Sequence, residues 1–299
     1  MLNFSHICTT KPHEIRAVFV ADLHLSERTP RLMAAFLALI KDLEKLPNLE
    51  RFFIAGDWLD GWIGDDDYLH LNADEKRAHW LTPALGALDN LHKKDVQIFI
   101  MHGNRDFALR QTLCDIFGGA LIDEPYCFTE NFDAEFSESG FDESYDLTQH
   151  SHQKHSRQQL ITKTIRFRLE HGDKLCTDDA RYQRYRKIIR NPVISWLLLH
   201  TPLSYRRKLA ANIKAQSAQD KRQKSHAIMD VNAAAVRAAL DGCDVLIHGH
   251  THRPQSHVLQ DLPNKKRLVL GDWRTDGDKV CAVIGVLSDE MRLYEFVWG

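Results

Sequence analysis

Apolar runs of strand length recur along the chain, and several are closed by a polar cluster. Residues 15–20, 51–55 and 96–101 are short and β-prone. Between the first two, residues 30–46 place Leu32, Phe36, Leu39 and Leu43 at helical spacing, and residues 74–92 read as a second helix. Helices alternating with strands predict an α/β core. Later runs at 164–169, 245–248, 267–270, 280–287 and 292–297 are strand-like with little helix between them. The pattern predicts an α/β (α+β) fold, two packed mixed sheets flanked by helices, as a single domain over 1–299.

Two segments depart from it. Residues 129–160 are poor in aliphatic side chains, acidic at first and then polar with His150, His152 and His155. They read as an inserted flexible loop. Residues 178–225 read as a basic helical insert. Between 181 and 224 stand twelve Lys or Arg and a single acid, Asp220, around an apolar run near Trp196. Basic helices beside an apolar patch suit anionic lipid or phosphate at a surface, the alternative being a solvated helical face.

Composition narrows the classes. With 43% hydrophobic and 27% charged residues, the 299-residue chain is of globular type. Lys and Arg number 39 against 41 Asp and Glu, which argues against a dedicated nucleic-acid binder. No apolar run approaches the roughly 18 to 20 residues of a membrane span. Lys11, Glu14 and Arg16 interrupt any signal-peptide core, so a soluble protein is expected. The six cysteines form no C-x-x-C pair, which removes zinc-ribbon and thioredoxin-like chemistry.

The candidate chemistry lies in five clusters, most of them closing an apolar run: Asp22-Leu-His24, Gly56-Asp57, Gly103-Asn104-Arg105-Asp106, His171-Gly172-Asp173 and Gly249-His250-Thr-His252. Asp, Asn and His suit Mn, Fe or Zn. Asp22 with His24, and His250 with His252, stand two apart and would point the same way from an extended segment. The adjacent glycines allow sharp turns, so the side chains can converge. Strand carboxyl ends are where open α/β sheets place their sites. Two divalent cations held there would support an in-line phosphoryl displacement.

This ordered set resembles the calcineurin-like metallophosphoesterases. The resemblance implies metal ligands at Asp22, His24, Asp57, Asn104, His171, His250 and His252. Asp57 would bridge two cations, with Asp22, His24 and His252 on one side and Asn104, His171 and His250 on the other. It implies two Mn2+ per chain, other divalent metals being possible. Arg105 stands where many members have a histidine, and suits phosphate gripping for a leaving group that departs unprotonated. Longer strings, such as Trp62-Ile-Gly-Asp-Asp-Asp67 and His248-Gly-His-Thr-His-Arg-Pro254, resemble the branch acting on UDP-2,3-diacylglucosamine in lipid A synthesis. That likeness implies attack by a dimetal-bound hydroxide on the α-phosphate, giving UMP and 2,3-diacylglucosamine 1-phosphate. Asp57, Asn104, Arg105 and His250 would be catalytic. Asn104, Arg105, Asp179, Ser217, Lys221, Lys224 and His250 would bind substrate, the insert sheltering acyl chains. It further implies a cytoplasmic protein, peripheral on the cytoplasmic face of the inner membrane through anionic lipid, with neither nucleic acid nor an obligatory protein partner. A nucleic-acid phosphodiesterase and a protein-binding scaffold are the alternatives. The first would show steep salt dependence; the second would have lost metal ligands, and all seven positions are filled.

Overall fold

A computed structural model describes residues 2–136, 159–223 and 230–299. Thirteen strands occur among them: β1 (Leu2–Asn3), β2 (Ala17–Val20), β3 (Arg51–Ala55), β4 (Gln97–Met101), β5 (Ala120–Ile122), β6 (Tyr126–Phe136), β7 (Gln159–Glu170), β8 (Val245–His248), β9 (Gln255–Leu259), β10 (Leu262–Val269), β11 (Gly271–Asp276), β12 (Lys279–Leu287) and β13 (Met291–Trp298). The helices are α1 (Phe4–Thr10), α2 (Pro30–Leu43), α3 (Asp66–Leu69), α4 (Ala73–Ala78), α5 (Thr82–His92), α6 (Gln111–Cys114), α7 (Ala180–Ile189), α8 (Pro192–Leu199), α9 (Leu203–Gln223) and α10 (Ala233–Ala239).

The strands form two mixed sheets. The first runs β1-β13-β12-β2-β3-β4-β5 with β11 on β12; the second runs β6-β7-β8-β10-β9. Strands β2 to β5 are mutually parallel, as are β7, β8 and β10. Their apolar runs are buried on both faces, and side-chain alternation sorts them into two cores. Val18, Val20, Phe52, Ile54, Ile98 and Ile100 face α2 and α5. Phe19, Phe53, Met101, Phe167, Leu169 and Ile247 fill the space between the sheets. There Phe19 and Phe53 stack at 4.6 Å, and Phe128 and Phe167 at 5.0 Å.

The expected two-sheet architecture is found, with local corrections. The helix expected over 74–92 is two, α4 and α5, because Pro83 starts a new helix rather than continuing one. Both ends of the loop expected over 129–160 are strand instead. Residues 129–136 belong to β6, in register with 159–166 of β7. There Glu130 is buried and paired with Arg16 and Arg51, so a residue counted as loop acid ties the second sheet to the first. His150, His152 and His155 lie outside the described residues.

The basic segment is helical, as α7, α8 and α9, and three of its cations on α9 pair with acids of the core. Arg206, 4% exposed, pairs with Asp66 and donates to Ile63 O, Arg207 pairs with Asp67, and Lys214 with Asp60. These cations dock the insert on the acidic 60–67 stretch. Among the described residues no helix is long and apolar enough to cross a membrane.

Candidate metal centre

Each polar cluster follows the carboxyl end of a parallel strand, three from the first sheet (β2, β3, β4) and two from the second (β7, β8). Backbone hydrogen bonds extend the pairing past the strands and tie the clusters together. Asp22 N donates to Gly56 O at 3.1 Å, His24 N to Asp57 O at 2.9 Å, and Gly249 N to His171 O at 2.8 Å. Side chains add to this: His250 N donates to Asp22 Oδ2 at 2.8 Å between the sheets, and Arg105 N to Asp57 Oδ1 at 2.7 Å within the first.

The D-x-H and H-x-H pairs are not extended. Asp22, His24, Asp57, His250 and His252 all have positive φ, between 50° and 69°. Left-handed backbone costs a non-glycine residue on the order of 1–2 kcal/mol. Such strain gathered in one place marks a site that the surrounding fold overdetermines. The two-residue spacing thus brings ligands together through hooked loops, not through the pleat of a strand. The glycines also act differently from expectation at two points, where they allow close approach. A Cβ on Gly103 would sit 2.1 Å from Asp57 Oδ1, and one on Gly249 2.4 Å from Asp22 Oδ2.

The side chains converge as expected. Donor atoms of Asp22, His24 and His252 lie within 4.8 Å of one another, as do those of Asp22, Asp57 and His171. His24 Nε2 faces His252 Nε2 at 3.4 Å. Asp57 Oδ2 stands between the two groups, 3.8 Å from His24 Nδ1 and 3.7 Å from His171 Nε2. Asn104 Oδ1 lies 3.2 Å from His171 Nε2 and 3.0 Å from His250 Nδ1. His171 Nδ1 is fixed by Ala55 O at 3.1 Å, which aims Nε2 into the cluster.

Divalent cations fit this donor set. Asp22 and Asp57 are two buried carboxylates side by side among imidazoles, and glycines hold the backbone open around both. Burial pushes the Asp57 carboxyl up, against the pull of His171 and Arg105. His171 is raised to about 9: burial opposes its protonation, but the carboxylates of Asp57, Asp22, Asp173 and Glu124 outweigh that. The pocket is thus built for positive charge, and oxygen and imidazole donors suit divalent transition metals.

Of the expected substrate residues, Asn104, Arg105 and His250 are at the centre. Arg105 Nη1 is 3.5 Å from Asp60 Oδ1. Asp179 caps α7, its Oδ1 accepting from Tyr182 N at 3.0 Å. Ser217 and Lys221 lie on α9, and Lys224 lies outside the described residues. Arg105 also lines an apolar groove between core and insert, with Trp62, Ile63, Phe107, Leu198 and Leu209.

Several buried residues of the site had no assigned task in the sequence. Asp106 accepts from Trp58 N at 2.8 Å, Leu59 N at 3.3 Å and Gly103 N at 2.7 Å, and so shapes the loops on either side of Asp57. Burial, and then Asp57, raise it to about 6. Asp173 takes Tyr182 and Arg186 from α7, and Glu124 accepts from His171 N. Asp106 and Asp173 close their own motifs, which was the available signal; Glu124 and Arg186 had none.

Comparison with known proteins agrees with this geometry. Residues 15–254 match the calcineurin-like phosphoesterase family. The chain is 35% identical over 263 residues to a UDP-2,3-diacylglucosamine hydrolase of Azotobacter vinelandii, covering 87% of this chain and 91% of that protein. Against proteins of the same name it is 35% identical over 286 residues in Serratia proteamaculans (94% and 99% covered) and over 279 in Actinobacillus succinogenes (93% and 98%). The chain belongs to the calcineurin-like phosphoesterase family, and within it stands with the relatives named UDP-2,3-diacylglucosamine hydrolase.

Proposed function

We propose that this protein is the hydrolase of UDP-2,3-diacylglucosamine in lipid A synthesis, cleaving the pyrophosphate to UMP and 2,3-diacylglucosamine 1-phosphate. The observation that carries the reading is the adjacency of a dimetal-type donor cluster to an apolar groove, with Arg105 common to both. A soluble nucleotide needs no such groove. Acyl chains do, at about 0.8 kcal/mol for each CH2 buried.

Asp22, His24, Asp57, Asn104, His171, His250 and His252 would be the ligands, and Mn2+ is one of the divalent metals that this oxygen and imidazole set suits. Bound divalent cations supply Lewis acidity and water ionised at neutral pH. The chain's own groups do the rest. Arg105 offers a planar fork of donors to phosphate oxygens, and Asp60 restrains that fork. Asn104 and His250, in contact at 3.0 Å, position the scissile phosphate against the cluster. Asp179, Ser217, Lys221 and Lys224 complete the substrate site, and residues 178–225 act as a lid.

Peripheral contact with the cytoplasmic face of an inner membrane rests on apolar side chains. Val193 is 63% exposed, Trp196 58% and Leu197 54%, all on α8, with Ile188 beside them at the end of α7. Such a patch on an insert is an interaction surface rather than a core. The test of activity is direct: chelated enzyme given UDP-2,3-diacylglucosamine should release UMP only after Mn2+ is restored. Equal release without metal defeats the reading.

A further inference from the structure

Three side chains spaced by four residues on one face of α7, Tyr182, Arg186 and Arg190, reach the metal-site loops. Tyr182 Oη donates to Asp173 Oδ2 at 2.5 Å, and its ring lies 6.0 Å from that of His250. Arg190 Nη2 donates to Gly103 O at 3.0 Å, beside Asn104. Arg186 closes a ring. Its Nε donates to Asp173 Oδ2 at 2.9 Å, its Nη2 to Glu124 Oε2 at 2.6 Å, and Glu124 Oε1 accepts from the backbone N of His171 at 3.0 Å. Asp173 and His171 are the two ends of one glycine turn. The guanidinium of a helix in the insert thus holds both flanks of one metal-site histidine.

We propose that Arg186 is a positioning residue that makes docking of α7 and cation binding at His171 a single coupled event. The bidentate geometry matters: one planar fork spans two buried carboxylates, which an ammonium cannot do as well. Removing it leaves Glu124 and Asp173 buried without their shared cation, so the His171 backbone loses its fixed acceptor and α7 its anchor. Coupling of this kind is reciprocal: a cation at His171 favours the docked helix by the same factor as the docked helix favours the cation. The insert would then close fully only over a loaded centre.

This inference rests on reading His171 as a metal ligand, and the experiment separates the two. Mn2+ is titrated calorimetrically into metal-free protein, and amide hydrogen exchange of α7 is followed with and without Mn2+. In Arg186→Ala, affinity for one of two cations should fall roughly 10- to 100-fold, and Mn2+ should slow α7 exchange in the native protein but not in the variant. Arg186→Lys should lose less, and Arg207→Ala, a control elsewhere in the insert, should bind Mn2+ as the native protein does. If Arg186→Ala does not fold, Glu124→Gln keeps an acceptor for His171 N while weakening the tie to Arg186, and should show the smaller loss. Native-like affinity in a folded variant, or α7 exchange indifferent to Mn2+ in the native protein, overturns the inference and leaves the hydrolase reading standing. Unchanged stoichiometry in His171→Ala overturns both.

Discussion

The metal-centre loops and the helical insert are held by opposite means. The loops are largely buried, carry left-handed backbone at five candidate ligand positions, and are laced between two sheets by main-chain hydrogen bonds. The insert meets the core largely through side-chain polar contacts: Arg186 on α7, Ser195 on α8 with Arg110, and Arg206, Arg207 and Lys214 on α9. Much of its apolar surface stays exposed. Main-chain pairing leaves the backbone of the site little conformational freedom. Long charged side chains hold the insert through more rotatable bonds. The contrast implies that damage to the loops should abolish function outright, whereas damage to the insert should act on substrate affinity.

The largest expected effect is at Gly103. Its Cβ would lie 2.2 Å from Asp57 N, a backbone atom that cannot swing aside. Gly103→Ala should therefore cost at least about 3 kcal/mol of stability, the upper range for forced core overpacking, and bring UMP release to background. Next is Asp106→Ala, which strips three buried N–H groups of their acceptor. At roughly 1–3 kcal/mol for each unsatisfied group, unfolding in urea should show a loss of at least about 3 kcal/mol. A native-like midpoint in either variant would mean that the loops are more compliant than their geometry says.

A pH series tests the same rigid region. Burial lowers His248 to about 3 and His102 to about 4, so both are neutral in the fold. The unfolded chain binds protons on them near pH 6.5. Their contribution is therefore complete above that pH and is lost as the pH falls toward 4 and then 3. That contribution should drop by several kcal/mol over the window, at 1.36 kcal/mol per unit of displacement, offset in part by Asp106, whose raised carboxyl takes up its proton as the pH falls through 6. His102→Gln should flatten the upper part of the fall.

Effects in the insert should be smaller and of another kind. Arg206 holds the Asp66 carboxyl below its usual range, through a hydrogen bond first and charge second. Asp66→Asn should raise KM severalfold with kcat little changed, and added salt should mimic it more weakly, since partly buried pairs are incompletely screened. Equal falls in kcat and kcat/KM would place Asp66 in the chemistry and erase the distinction between the regions. Least of all, Trp196→Ser should shift stability by no more than about 0.5 kcal/mol while reducing sedimentation with anionic vesicles. Unchanged sedimentation would remove the membrane role of α8.

What the sequence determined by itself is the part governed by local pattern. Strand-length apolar runs give β2, β3 and β4, and the polar cluster after each strand identifies Asp22, Asp57 and Asn104, because a parallel sheet ends all its strands on one edge. Residue chemistry gives the kind of ion. Tertiary structure decided everything that depends on a distant partner. It turned Asp22 and His24 into left-handed hooks, placed Glu130 in a strand as an inter-sheet tie, and directed Arg206, Arg207 and Lys214 at acids about 140 to 154 positions away. It also joined Arg186 to Glu124 and His171. Charge along a chain counts the cations of a helix, but only the folded chain says whether a carboxylate or solvent faces each one.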